Sequence, residues 1–471
     1  MKKPDRLVGY LNINDSNCAF EFDDDDFILS LYPPSTKDYD VHSIFEGLTN
    51  FNHKEHKWIK DLKLSGITSS GSNIIFNVQD LPSNYNGFKV YDVNWYFCYR
   101  DTIKADRIEG FRINGPEIDL FYPPQRALET KIDFSKENNR ITGMQVSSND
   151  NNDCSDCGKY RIIKGIDADI KLSAHATIHT DTAVNPINAD SVMTTHFSKP
   201  VDIDTLIVAY YNAVCFFEYI TYRNNINIKS TDIFFINENG LRQYDGILVF
   251  PNNTDIETHK NVKKRIIGYD ILQKKAAKIF SLINKNKIGF GHICKSIDDT
   301  RHYPTSRTIM ILTEFEREYR NIYGTDFNRS EEYIDVKNSI VNLINDYLKE
   351  QHGMRRQYVK QLSRYVNDRD NSYETNVKYA LDDCKDIMDI FVARKYKGNY
   401  KEATDGIAMR IGELRNGIAH SRLDLKIEPI SLADIKIIEE LTYAIRLKKL
   451  GIQNLECKKS INILFGEQFA L

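Results

Sequence analysis

The chain lacks most of what marks a secreted, membrane-spanning or nucleic-acid-coating protein. Positive charge is not in excess: 63 Lys and Arg stand against 66 Asp and Glu over 471 residues, a net charge of −3. A chain coated in basic residues is thereby excluded, and any contact with nucleic acid has to be local. Cysteine is sparse, eight in all and mostly scattered, too thin for a disulfide framework, so reduced thiols are expected. No run of eighteen apolar residues is present and the mean hydropathy is −0.47, which argues against a membrane span. The start MKKPDRLVGYLNINDSN has no apolar block after its lysines, and the end FGEQFAL carries no lipidation box, so the expected address is the cytoplasm. The Walker spacing G-x4-G-K-[ST], a serine nucleophile elbow and an H-E-x-x-H helix are also missing, which leaves NTP hydrolysis and those two hydrolytic chemistries without a basis.

What is there is a folding composition. Hydrophobic residues make up 41% and aromatics 11%, more than a disordered chain carries, and the length predicts two or three domains at roughly 100–200 residues each. The first half reads as strands. NIIFNVQDL and YDVNWYFCY flank the turn-forming SNYNG, and RIEGFRI, RITGMQV, YRIIKGIDADIKL, TLIVAYY and ILVF follow at similar spacing. Short strands in series with turn chemistry predict a sandwich-like β domain, and no βαβ alternation suggests a doubly wound sheet. Ala213–Tyr222, AVCFFEYITY, fits a strand or a buried helix.

From about Asn261 the period changes to three and four, with Ser or Thr starts and Gly stops. Helices are expected to open at Ser306, Ser330, Ser372 and Thr404, the third running to near Gly398. A fifth follows Ser431, with Asp434 completing an acidic capping box. The expected fold class is therefore α+β multidomain: a β-sandwich-like domain over residues 1–255, then an all-α bundle over 256–471. The boundary is placed near residues 252–262, around PNNTD.

The chemistry concentrates in DGIAMRIGELRNGIAHSR, residues 405–422. On a helix, Ile407, Ile411, Leu414 and Ile418 make a core stripe, and Ala408, Gly412 and Ala419 a small-residue stripe. Met409, Glu413, Asn416 and His420 make a third face, with Asn416 and His420 as i,i+4 neighbours. Arg415 lies roughly 140° around from His420 at 3.6 residues per turn, so the two converge only if the Arg wraps, the helix ends near His420, or a second copy supplies the partner.

Arg415-Asn416-x3-His420 resembles the R-polar-x3-H signature of the HEPN superfamily of ribonucleases and RNA-binding domains. Asn in second place and the position late in a helical bundle make it more specific than the bare Arg-x4-His spacing. The whole chain resembles the ApeA-type anti-phage HEPN proteins, with a β-rich N-terminal domain of about 250 residues before the bundle; LIVAYYNAVCFFEYITY and ILTEFEREYRNIYG are similar to that family. The resemblance implies that Arg415 and His420 are the catalytic pair with Asn416 as support, that the substrate is RNA, and that the role is abortive anti-phage defence with a phage-derived trigger. These residue types suit cleavage without a metal, since imidazole moves a proton near neutral pH and a guanidinium stabilises phosphorane charge. One imidazole covers half of an acid–base cycle, so a homodimer joined at the small-residue stripe of this helix is expected.

Three other patterns compete. Cys154, Cys157, His175 and His179 spell C-x2-C-x17-H-x3-H, either a structural zinc site away in sequence from His420 or an exposed turn with two free thiols beside a polar strand face. Asp119, Glu129 and Lys131 match the short D-x9-E-x-K pattern of metal-dependent restriction-type nucleases, in a chain that is 27% charged. Arg355, Arg356, Lys360, Arg364 and Arg369, interleaved with Tyr358 and Tyr365, read as an RNA track or a solvated helix face. The sequence thus points to a metal-independent HEPN endoribonuclease. Its alternative is a non-catalytic recognition or dimerisation protein that binds RNA or a phage component.

Overall fold

The computed structural model describes residues 7–13, 16–32, 61–79, 83–85, 88–100, 105–134, 141–148, 153–178, 187–236, 239, 241–251, 256–324, 331–368, 372–419 and 428–469. The chain divides into two compact units, Met1–Val214 with Asn225–Ile256, and Cys215–Asn224 with Glu257–Leu471.

In the first unit β1 (Leu7–Ile13), β2 (Ser16–Asp23), β3 (Ile28–Tyr32), β4 (Asp61–Thr68), β5 (Asn73–Gln79) and β7 (Phe88–Tyr99) pair antiparallel in a ring. β1 joins β2 and β4, β5 joins β4 and β7, and β3 joins β7 and β2. The sandwich-like expectation gives way here to a closed six-strand barrel with an open sheet attached. Two glycines permit the closure: a Cβ on Gly9 would stand 2.2 Å from the Ile67 carbonyl oxygen, and one on Gly66 2.1 Å from that of Tyr10. Only residues without a Cβ allow β1 and β4 to approach so closely. Inside, Phe22 packs on Phe76 at 5.2 Å and Tyr96 at 5.1 Å, and Phe20 meets Phe76 edge-on at 5.3 Å.

β6 (Ser83–Tyr85) pairs with the start of β7, and the far end of β7 pairs with β15 (Arg242–Val249). From there the sheet runs through β14 (Ser230–Ile236), β8 (Ile108–Asn114), β13 (Ile187–Val201), β12 (Ile166–Ile178) and β11 (Asp153–Ile163). β9 (Leu128–Phe134) and β10 (Ile141–Ser148) form a separate pair. A short helix α1 (Pro116–Phe121) follows β8.

Ala213–Tyr222 lies largely in helix α2 (Ile203–Thr221), which resolves the choice between strand and helix. The chain division falls within this helix, at Val214/Cys215. Among the described residues α2 alone is long and apolar enough to cross a membrane, but 61% of that stretch is buried in the fold. Leu206, Ala209, Ala213, Phe216, Phe217 and Ile220 are buried and share one face of the helix, while Val208 and Tyr211 on the other side are exposed, as in a helix that turns one apolar face to a core.

The second unit contains α3 (Ala276–Asn284), α4 (Thr305–Tyr323), α5 (Glu331–Lys349), α6 (Gly353–Asp368), α7 (Tyr373–Asp383), α8 (Lys385–Lys395), α9 (Tyr400–Ala419), α10 (Pro429–Lys449) and α11 (Asn454–Phe465). Ser372 caps α7 by accepting the Thr375 amide at 3.2 Å. The helix expected to run to Gly398 breaks at Cys384 into α7 and α8. The acidic capping box is corrected: α10 opens at Pro429, and Asp434 lies buried inside it. There it accepts from Arg410 Nε at 2.7 Å and Nη2 at 2.8 Å. α10 is the central helix and packs on α4, α8, α9 and α11.

The interior of this bundle is unusually ionic. Arg446 donates to both oxygens of Glu318, Lys395 to both of Glu440, and Arg307 with the Tyr303 and Tyr222 hydroxyls to Glu439. Each of these carboxylates is buried, and burial raises its pKa while the paired cation lowers it.

Candidate functional site

α9 carries the first two residues of the expected catalytic triplet on its final turns. Ile407, Ile411 and Leu414 are buried and fix the helix against the bundle. Ala408 and Gly412 are buried too, and a Cβ on Gly412 would stand 3.2 Å from Cβ of Glu374. The small-residue stripe is therefore filled at Gly412 by α7 of the same chain. At Gly412 it is closed to the second copy that the sequence placed there, and the side chain of Ala419 lies outside the described residues.

Met409, Glu413 and Asn416 are exposed and form the open face of α9. Arg415 is half-buried about 100° around the helix from Asn416, and its Nη2 donates to Glu316 Oε2 on α4 at 3.3 Å. Arg320, one turn further along α4, donates to the other oxygen of Glu316. Underneath, the buried Tyr373 hydroxyl donates to the Leu312 carbonyl at 3.1 Å. Burial pushes that phenol well above its ordinary value, with Glu316 adding to the effect and Arg415 opposing it. A guanidinium has five N–H donors, so a single bond to Glu316 orients Arg415 and leaves most of its donors for a phosphate. His420 lies outside the described residues.

Glu316 was not singled out in the sequence. Its signal was faint: ILTEFEREYRNIYG carries three glutamates two apart, and the fold gives each a different task. Glu314 accepts the Gly289 amide at 2.8 Å, Glu316 holds Arg415, and Glu318 holds Arg446.

The cysteine pair behaves as strand, not as turn. Cys154 and Cys157 both lie on β11, where side chains alternate between faces and residues three apart separate. Accordingly Cys154 is exposed while Cys157, at a bulge between Asp156 and Gly158, is buried. Burial, then the charge of Asp156, pushes the Cys157 thiol up. His175 on β12 shares a hydrogen bond of 2.9 Å between its Nε2 and the Ser173 hydroxyl, and His179 lies outside the described residues. Among the described residues no group of three or more His, Cys, Asp or Glu is placed to hold a metal ion. Native protein exposed to a maleimide should be labelled first at Cys154, unchanged by a chelator, and Cys154→Ser should remove that fast label. Labelling of Cys154 only after chelation would show that a metal protects it.

The other two patterns are also separated. Asp119 on α1 accepts the Ser191 amide at 2.7 Å, a structural bond to β13, while Glu129 and Lys131 are exposed on β9. On α6, Arg356, Lys360 and Arg364 are four apart and share one side. Tyr358 and Tyr365 fall roughly on the opposite side at 3.6 residues per turn. Of the described cations only Arg355 falls towards the tyrosine side, so the cations and aromatics that alternate in sequence do not form one track, and Arg369 lies outside the described residues.

Comparison with protein-family models, curated proteins and solved structures finds no match to this chain.

Proposed function

We propose that the protein is a metal-independent endoribonuclease of HEPN type, acting in the cytoplasm as a homodimer in abortive defence against phage, released by a phage-derived trigger. The observation that supports it is Arg415 held by Glu316 on the helix whose open face carries Asn416, at the end of the helix where the motif continues to His420. In this reading His420 removes the proton of an RNA 2′-hydroxyl. The 2′-oxygen attacks the adjacent phosphorus, and the 5′-oxygen leaves with a proton supplied by the second protomer's imidazole or by water. Arg415 carries the extra negative charge of the phosphorane. The products are a 2′,3′-cyclic phosphate and a 5′-hydroxyl.

Incubating the purified protein with total RNA in EDTA should give cleavage with cyclic phosphate or 3′-phosphate ends, and a substrate with 2′-deoxyribose at the cut site should survive. Equal cleavage of the deoxy substrate, or activity that EDTA abolishes, would overturn the mechanism. Binding of RNA with no cleavage under any condition would favour the recognition protein instead.

Glu316 enters as a positioning residue. Glu316→Ala should reduce cleavage about tenfold, the scale of losing one hydrogen bond to a charged group, whereas Glu316→Gln, which still accepts from Arg415, should restore most of it. Equal loss in both variants would show that Glu316 does not act through that bond.

A further inference from the structure

α5 and α6 form a helical hairpin with a surplus apolar face. They pack on one another across the three-residue connection Glu350–His352, a loop length that makes neighbouring helices antiparallel. Their seam uses the partly buried Val341, Ile344 and Leu348 of α5 with Val359 and Val366 of α6. Yet α5 has no fully buried residue, and Tyr333, Val336, Ile340, Leu343 and Tyr347 are all exposed, Leu343 to 70%. Their spacing of three, four, three, four is the a/d repeat of a helix seam. On α6, Met354, Tyr358, Leu362 and Tyr365 make a second exposed stripe.

Both stripes sit about 90–110° from the seam and in the same rotational sense, at 100° per residue. In an antiparallel pair, equal displacement of that kind puts both on one face of the hairpin. At the 150–250 Å² of a large side chain, the exposed part of this face amounts to roughly 1,000 Å² per copy. That is above the ~800 Å² per partner of a standard interface and beyond the patches a monomer normally shows.

The chemistry of the face selects its occupant. Its stripes are apolar, and on α6 the single exposed cation in their row, Arg355, is too little charge to track a phosphate backbone. Its outer border on α5 is acidic, Glu332, Asp335 and Asp346, where a helix lying on an anionic bilayer would carry Lys and Arg. Two antiparallel helices with one apolar face are half of a four-helix bundle. The helices also differ in charge: α5 has four acidic and two basic residues, α6 four basic and one acidic. A twofold axis along the bundle lays α5 of each copy over α6 of the other, bringing opposite charges together.

We propose that the α5–α6 hairpin is a homodimerisation element, pairing with the same hairpin of a second copy to complete a four-helix bundle. The inference does not rest on the ribonuclease reading. Sedimentation of the full chain should give a dimer. Leu343→Asp and Leu362→Asp should each give a monomer with unchanged far-UV circular dichroism, and Asn338→Asp, on the opposite side of α5, should remain a dimer. Asp335→Lys with Asp346→Lys, which alters only exposed charges, should weaken association several-fold at low salt. A wild-type monomer, a dimer that survives both aspartates, or a dimer indifferent to the lysine pair would overturn the proposal. So would a wild-type monomer that loses binding to RNA or to liposomes through the same apolar substitutions.

Discussion

His420→Ala and Arg415→Ala are each expected to lower RNA cleavage by about two to four orders of magnitude while leaving the melting temperature near that of wild type. The two losses have different origins. Without His420 no group of near-neutral pKa takes the 2′-hydroxyl proton. Without Arg415 the phosphorane loses its charge partner, and Glu316 is left with Arg320 as its cation. Arg415 is half-buried at the bundle surface and pairs with a carboxylate that has a second partner, so its removal should cost little stability. Arg415→Lys tests the geometry further. It keeps the charge but not the planar fork, and should recover only part of the activity. Single-turnover cleavage of a defined RNA, compared with RNA affinity measured separately, is the decisive readout. Variants that bind RNA as wild type and still cut it at the full rate would remove the catalytic assignment.

Arg446→Met is expected to be the most damaging single change to stability, about 3–5 kcal/mol by chemical denaturation. Arg446 and Glu318 are both buried, and the guanidinium donates to both carboxylate oxygens. Burial raises the Glu318 pKa, with Glu314 adding to the rise, and Arg446 is the main group that opposes it. Deleting the cation leaves a carboxylate in the interior that must either stay charged without a partner or take up a proton. The penalty should therefore shrink as the pH falls and Glu318 is protonated. The double change Glu318→Gln with Arg446→Met should regain much of the loss, because it is the orphaned charge and not the missing bridge that destabilises. If Arg446→Met costs no more than a surface substitution, the pair is not buried as described.

Periodicity carried the helical half a long way and failed at its ionic interior. The apolar stripe Ile407, Ile411 and Leu414 is buried as its spacing requires, and Ser372 caps the helix it was expected to open. α10 was harder, because IKIIEELTYAIRL is enclosed all round and its buried Glu439, Glu440 and Arg446 resemble an exposed charged face. Their partners Arg307, Lys395 and Glu318 lie on other helices far away in the chain. Long-range pairing likewise hid the barrel. Strand character was legible from composition, but closure depends on β1 finding β4 and β5 finding β7, and the glycines that allow it, Gly9 and Gly66, each look like ordinary punctuation. At the candidate site Arg415 and Asn416 could be placed on a helix from sequence. Glu316, ninety-nine residues upstream of Arg415, could not. At Gly412 the small stripe packs on Glu374 of the same chain, which the sequence could not show because a filled groove and an empty one have the same signature.

β7 has a consequence for how the N-terminal unit opens. Along one edge it pairs first with β3 and then with β15, and along the other it pairs with β6 and then β5. The barrel wall and the open sheet thus share a single strand. Melting either one strips hydrogen bonds from the other, so the two have no separate opening reaction, and their amides should exchange with solvent as one protected block. The amides of Tyr96–Tyr99, enclosed between β5 and β15, should be the last in that block to exchange.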